Sequence, residues 1–116
     1  MKLLMHILKK NDKLKIDNRT LSIQGMIDKL DEETQEVFLA LKDYETNKTL
    51  HNLKEVIRET FDVIQICILI LWRCHMRATT LEEPNLIQKL NIDHKNKLIS
   101  ERSWEPVTGI EIDIKE

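Results

Sequence analysis

The sequence contains very little glycine, proline or aromatic residue. Only two glycines and two prolines occur among 116 residues, and aromatic side chains make up 4%. A β-sandwich or barrel needs more turn residues than this, so the composition favours a helical protein. Gly25 and Gly109 each stand alone, which excludes a glycine-rich phosphate loop and a dinucleotide-binding fingerprint.

Net charge and long apolar runs are also small. The formal net charge of −2 gives no general attraction to nucleic acid or to an anionic membrane. The longest apolar run, Val63–Trp72, is about half the length of a bilayer span. The N-terminal apolar run is too short for a signal peptide. We therefore predict a cytoplasmic protein with no nucleic-acid or membrane partner.

The chain has only two cysteines, Cys67 and Cys74. Their spacing of seven residues matches no zinc motif. We interpret both as buried free thiols on one helix.

Helical periodicity and charge dominate what is present, with 41% apolar and 33% charged residues. The pattern predicts an all-α chain that forms a single domain over residues 1–116, as a small bundle of about four helices. The predicted helices are a short one over Met1–Lys10, one over about residues 21–43 capped by Ser22, a longer one over about 49–75, and a basic one over about 84–104.

Two segments of this chain have sequence patterns that require a packing or pairing partner. The second half of the long helix, Val63–Trp72, is apolar on nearly every side, so other helices or another subunit must bury it. The tail, residues 105–116, alternates apolar and charged residues over Ile110–Lys115, which is typical of a short strand and requires a pairing strand. We therefore predict that oligomerisation completes the bundle.

The stretch KLDEETQEVFLAL (Lys29–Leu41) places two carboxylates at the margin of an apolar helix face. At about 100° per residue, Glu33 and Glu36 lie along the edge of the stripe that contains Leu30 and Val37. On the next helix the acidic residues follow one another at i, i+4 and i+7, and lie within about 60° of each other; they are Glu55, Glu59 and Asp62. We expect Asp62, at the apolar end of this row, to be the most shielded from water.

Two acidic rows on neighbouring helices would concentrate four or five negative charges, which a cation must neutralise. Hard carboxylate oxygens suit Mg²⁺ or Mn²⁺. The competing interpretation is a solvated acidic face paired with Lys29, Lys54 and Arg58, and the pattern alone favours neither. Di-iron sites need Glu-x-x-His motifs, and none of the four histidines completes one.

The arrangement EETQE (Glu32–Glu36), an interval of 22 residues, and then ETFD (Glu59–Asp62) resembles the MazG-like family of all-α nucleoside triphosphate pyrophosphohydrolases. The signature of that family is EExxE on one helix and ExxD on the next. The resemblance covers Ser22–Leu71 and extends more loosely to the basic segment His94–Trp104.

The resemblance implies a reaction and a set of residues. Members use Mg²⁺ to split a nucleoside triphosphate into a monophosphate and pyrophosphate, and they assemble as dimers or tetramers. By similarity, the Mg²⁺ ligands would be Glu33, Glu36, Glu59 and Asp62. Glu36 or Glu32 would take the proton of the attacking water. The residues that would hold the outer phosphates are Lys95, Lys97 and Arg102, for which a solvated basic helix face is the alternative.

A non-enzymatic helical adaptor that oligomerises is the alternative function. In that case the acidic rows would be solvated faces rather than a metal site. Removing a negative charge at Asp62 would then change almost nothing.

Overall fold

A computed structural model describes residues 1–115 of the chain. It consists mainly of helices, which confirms the predicted all-α class. The helices are α1 (Ile23–Thr46), α2 (Leu50–Thr80), α3 (Leu86–Asn96) and a π-helix (Lys97–Glu101). Two short strands, β1 (Lys10–Asn11) and β2 (Ile16–Asp17), pair as an antiparallel hairpin before α1.

The ends of α1 are fixed by local hydrogen bonds. The Ser22 hydroxyl accepts a hydrogen bond of 2.9 Å from the backbone N–H of Gly25, which confirms the predicted N-cap. After α1 ends, the Asn52 side-chain amide donates to the carbonyl oxygens of Asn47, at 2.9 Å, and Asp43, at 3.3 Å. Asn52 thereby joins the first turn of α2 to the end of α1, so the short connection is held from both sides.

The apolar half of α2 is covered on one side only. Ile66 and Leu69 are buried, whereas Ile64 and Leu71 are exposed. Within the single chain the run is therefore covered on one side, and burial of the other side by another subunit remains a prediction. Both cysteines are free and exposed, so the predicted burial of the thiols is wrong.

The predicted helix over Met1–Lys10 does not form. Residues 1–9 have no regular secondary structure, and their carbonyl oxygens accept hydrogen bonds from distant residues. Asn18 donates to the carbonyls of Lys9 and Leu8, and the Gln65 side chain donates to that of His6 at 2.6 Å. These partners satisfy backbone groups that a helix would satisfy internally.

Arg73 on α2 anchors the chain immediately before α1. Its Nη1 donates to the carbonyl oxygens of Asn18, at 2.9 Å, and Leu21, at 2.7 Å. This contact fixes where α1 begins relative to α2.

The predicted basic helix over about 84–104 is shorter than expected. α3 ends at Asn96, the π-helix continues to Glu101, and Ser103 adopts a left-handed conformation with φ of 58°. A left-handed residue is a common way to end a helix. The predicted strand over Ile110–Lys115 is absent, since no strand in the described chain lies beside it to pair with.

The described chain divides into two compact units. The first comprises Met1–Arg77, and the second begins at Ala78. In the first unit the buried residues are Met26, Glu33, Ala40, Ile66 and Leu69. The single-domain assignment remains a prediction. None of the helices within residues 1–115 has the length and apolar character needed to cross a membrane.

Candidate metal centre

α1 and α2 bring four acidic side chains into one cluster. Glu33, Glu36, Glu59 and Asp62 each offer a carboxylate oxygen, and these oxygens all lie within 4.8 Å of one another. Each helix contributes two residues spaced i, i+3, which places them one turn apart on the same side of the helix. The four residues singled out as metal ligands from the sequence are therefore neighbours in space.

Burial within this carboxylate cluster decreases from Glu33 to Asp62. Glu33 is only 6% exposed, Glu36 and Glu59 are half-buried, and Asp62 is exposed. The expectation that Asp62 is the most shielded member is wrong. Helical periodicity gives the direction of a side chain around its own helix. It does not give how far other segments of the chain bury that side chain.

Two buried oxygens of the cluster have no hydrogen-bond donor. They are Glu33 Oε2 and Glu59 Oε2, one from each helix, and no residue of the described chain donates to them. Buried polar atoms almost always have a partner, so these two carboxylate oxygens are available to a positively charged ligand.

Lys29 supplies part of the compensating charge. Its Nζ lies 2.9 Å from Glu33 Oε1 and 3.8 Å from Glu32 Oε2. The hydrogen bond to Glu33 is the main reason that the pKa of Lys29 is raised above its ordinary value. With all groups ionised, four carboxylates and one ammonium give four negative charges minus one, a net −3.

The pKa of Glu36 is raised from 4.5 to about 7, with the hydrogen bond to Glu59 as the largest cause. When Glu36 is protonated, its carboxyl group can donate a hydrogen bond to Glu59 or to Glu33. The negative charges of these two residues further favour the protonated form. The cluster thus relieves its repulsion by holding a proton when no cation is bound.

The donor set fits a hard divalent cation. All four side chains offer oxygen, neither cysteine belongs to the cluster, and two oxygens are free of other partners. Carboxylate oxygens are the protein ligands that Mg²⁺ and Mn²⁺ prefer. The geometry can hold such an ion between α1 and α2.

An open groove of about 400 Å³ adjoins the cluster. Glu36 and Glu59 belong to both the cluster and the groove, so a molecule in the groove would contact the cluster directly. The other residues that line the groove are Leu39, Ala40, Asp43, His51, Asn52 and Glu55. This volume lies in the range of small-molecule sites.

Sequence reasoning overlooked His51 and Asn52 as lining residues. His51 precedes Glu55 and Glu59 at four-residue steps, so extending the acidic row backwards by one turn would have found it. Asn52 carried no such signal, because its role in the connection depends on where α1 ends.

Two acidic residues near the motifs lie outside the cluster. Glu32 is exposed and lies beside Lys29, and Glu55 lines the groove and pairs with Arg58. Each of these two residues thus has an ion-pair partner on its own helix, and the catalytic role of Glu32 remains a prediction.

The three predicted phosphate-binding residues lie in the second unit. Lys95 belongs to α3, Lys97 begins the π-helix, and Arg102 follows it. All three are exposed. Their contact with a substrate remains a prediction.

The chain is thus a helical protein with a carboxylate cluster between two helices. A family model described as apolipoprotein B100, insert 9 arm domain, matches residues 2–111, and the chain belongs to this family. Neither the comparison with curated proteins nor that with solved structures gives a match.

This match corrects the assignment to the MazG-like family, which is wrong. The resemblance depended on two short acidic motifs, and acidic residues at i, i+3 spacing are frequent in any charged helix. The spatial cluster of Glu33, Glu36, Glu59 and Asp62 stands independently of that assignment.

Proposed function

We propose that the chain is a Mg²⁺-dependent hydrolase that cleaves a nucleoside triphosphate into a monophosphate and pyrophosphate. The observation that carries this proposal is the four-carboxylate cluster, in which Glu33 Oε2 and Glu59 Oε2 are buried without a donor. When bound there, Mg²⁺ would neutralise phosphate charge and lower the pKa of a coordinated water.

The charge of the cluster supports a substrate that arrives with metal. The cluster is negatively charged, with at most −3 when every group is ionised, and it repels a triphosphate, which carries about four negative charges at neutral pH. Glu33, Glu36, Glu59 and Asp62 would therefore hold divalent cations that attract the phosphates. The same charge disfavours an anionic substrate without metal, which makes metal dependence a direct consequence of the proposal.

The groove supports a substrate with a polar organic part. It adjoins the cluster through Glu36 and Glu59, and it continues to His51 and Asn52 at the start of α2. Carboxylates accept hydrogen bonds from sugar hydroxyls and from the amino groups of bases, and an imidazole can donate or accept. These side chains would orient the nucleoside while the phosphates lie at the cluster.

Glu36 is the proposed general base. Its carboxylate belongs to both the cluster and the groove, so it can accept the proton of a water bound beside the cluster. As the water oxygen bonds to the α-phosphorus, the bond from that phosphorus to the bridging oxygen breaks, and Glu36 takes the water proton.

The experiment is a screen of the purified chain against standard and modified nucleoside triphosphates, with pyrophosphate release as the readout. We expect release with Mg²⁺ or Mn²⁺ and none with a chelator. A Glu33→Gln variant provides the matched control for contaminating activity. Equal release by the variant, or no release from any triphosphate, would contradict the proposal.

A helical adaptor is the second candidate function. The observation that favours it is the large exposed apolar surface, which includes Phe38 and Leu41 on α1 and Ile57 on α2. An adaptor with solvated acidic faces would release no pyrophosphate, and its binding of a partner protein would not change when Asp62 becomes Asn.

A further inference from the structure

The groove beside the carboxylate cluster extends from the metal site towards the connection between α1 and α2. On α1, Asp43 follows Glu36 by seven residues, which is about 10 Å along the helix axis. On α2, His51 precedes Glu59 by eight residues, or about 12 Å. All four residues line the groove. The groove therefore has one end at the cluster and its far end at Asp43 and His51.

A small side chain lies between the two ends of the groove on α1. Ala40 is one turn from Glu36 and one turn from Asp43, lines the groove and is only 8% exposed. Its methyl group takes little of the volume of about 400 Å³. A molecule bound at the cluster can therefore continue along the groove to Asp43.

The far end of the groove offers mainly hydrogen-bond acceptors. The Asn52 side-chain amide already donates to the carbonyl oxygens of Asp43 and Asn47, so it offers the groove its oxygen. Glu55 pairs with Arg58. The Asp43 carboxylate is exposed, and no hydrogen bond or ion pair from the described residues reaches it. Both oxygens of Asp43 are therefore available to a ligand.

A carboxylate with two available oxygens pairs best with two neighbouring N–H donors, as it does with the guanidinium of arginine. Among the standard bases, guanine presents two such donors side by side, at N1 and N2. Uracil and thymine place a carbonyl oxygen on each side of one N–H, and a carboxylate repels those oxygens. Adenine and cytosine place one amino group beside a ring nitrogen that accepts. The chemistry at the far end of the groove therefore favours guanine.

We propose that Asp43 selects guanine nucleotides, its two carboxylate oxygens accepting hydrogen bonds from the N1–H and N2 amino groups of the base. This assignment rests on the proposed function, which places the phosphates of the same molecule at the cluster. His51 lines the same end of the groove, and its imidazole can donate to the O6 oxygen of guanine. Asp43 is then the residue that determines specificity for the base.

The test compares guanosine triphosphate with inosine triphosphate, which lacks the N2 amino group and is otherwise identical. With Mg²⁺, kcat/KM for pyrophosphate release should be at least about tenfold higher for guanosine triphosphate. Asp43→Asn leaves one oxygen in place of two, so the N2 amino group loses its acceptor and this ratio should fall close to one. Asp31→Asn, at an exposed position of α1, should keep the ratio of the unmodified chain. Equal kcat/KM for the two substrates, or a ratio that survives in Asp43→Asn, would overturn the proposal.

Equilibrium binding distinguishes failure of this assignment from failure of the proposed hydrolase. Calorimetry with guanosine and inosine monophosphates in the presence of Mg²⁺ requires no turnover. Binding of guanosine monophosphate about tenfold tighter, lost in Asp43→Asn, would support the role of Asp43 even if no triphosphate were cleaved. Equal binding of the two monophosphates would overturn that role even if triphosphates were cleaved.

Discussion

At the scale of single residues, the carboxylate cluster buries negatively charged oxygens that repel one another. Lys29 compensates one oxygen of Glu33, at 2.9 Å, but the other oxygen and Glu59 Oε2 have no donor. An unpaired buried acceptor costs about 1–3 kcal/mol of stability. This cost falls where α1 and α2 meet, and a cation bound there would remove it.

The roles of Asp62 and Glu59 can be tested by removing one charge at a time. Asp62→Asn and Glu59→Gln keep side-chain size but remove a ligand charge, so pyrophosphate release should fall by about 100-fold or more. Folding should stay intact, because lost repulsion offsets lost contacts. Asp31→Asn, at an exposed position of α1, is the control and should keep full activity. Full activity in both cluster variants would show that the site is misassigned.

The pKa of Glu36 predicts how the stability of the metal-free protein depends on pH. Lys29, Glu33, Glu59 and Asp62 surround this carboxyl, whose pKa is about 7 in the folded chain and 4.5 as its reference value. Between these values the folded state keeps a proton that the unfolded state has lost. The free energy of unfolding should therefore be highest below about pH 4.5 and decrease up to about pH 7 as far as Glu36 contributes.

Urea denaturation at about pH 5 and about pH 8 measures this dependence. Saturating Mg²⁺ should reverse its sign, since the cation replaces the proton. In Glu36→Gln the contribution should disappear. A Glu36→Gln variant with the pH dependence of the unmodified chain would contradict the assignment.

Residue spacing predicted two acidic rows on neighbouring helices, one of which included Glu55, and the resemblance to the MazG-like family selected the four carboxylates that meet. Neither predicted their exposure. Glu33 is the buried member instead of Asp62, and both cysteines are exposed. The exposure of a side chain depends on which other segments of the chain pack against its helix. A periodic pattern within one helix does not describe those segments.

At the scale of secondary-structure elements, the N-cap of α1 offers a direct stability test. Ser22 Oγ accepts from the N–H of Gly25, so Ser22→Ala should lower the free energy of unfolding by about 1 kcal/mol. Ser22→Asp should retain most of it, because a carboxylate also caps a helix. Chemical denaturation measures both. Equal stability of Ser22→Ala and the unmodified chain would show that the cap contributes nothing.

Arg73 predicts a second effect on the N-terminal segment. Arg73→Leu would remove the donor that holds the carbonyls of Asn18 and Leu21, at a cost of about 1–3 kcal/mol. Amide hydrogen exchange should become faster around residues 18–21, while Arg73→Lys should preserve part of the protection. Unchanged exchange in Arg73→Leu would contradict the anchoring role.

The elements that were predicted correctly are those determined locally. α1 and α2 follow from apolar periodicity, and Ser22 from its capping chemistry. The helix over Met1–Lys10 and the strand over Ile110–Lys115 failed because both depend on distant partners. Residues 1–9 bond to Asn18 and to the side chain of Gln65, and the tail has no strand beside it in the described chain.

At the scale of the whole molecule, the family assignment and the proposed activity are supported by different observations. The family model covers residues 2–111, whereas the proposed hydrolase activity depends on four side chains of the first unit. A family description covers sequence along the chain, but chemistry depends on atoms brought together in space. The proposal therefore depends on experiments with the cluster and not on the match.

Metal binding should be detectable in the stability of the folded chain. An ion that binds only the folded carboxylate cluster stabilises it by about 2.7 kcal/mol at one hundred times its dissociation constant. Mg²⁺ and Mn²⁺ should therefore raise the melting temperature and slow amide exchange in α1 and α2. Ca²⁺ should also stabilise the chain but support turnover poorly, because its looser coordination positions water less accurately. Asp62→Asn should reduce the shift and Asp31→Asn should retain it, whereas a melting curve indifferent to millimolar Mg²⁺ would contradict a cation site between α1 and α2.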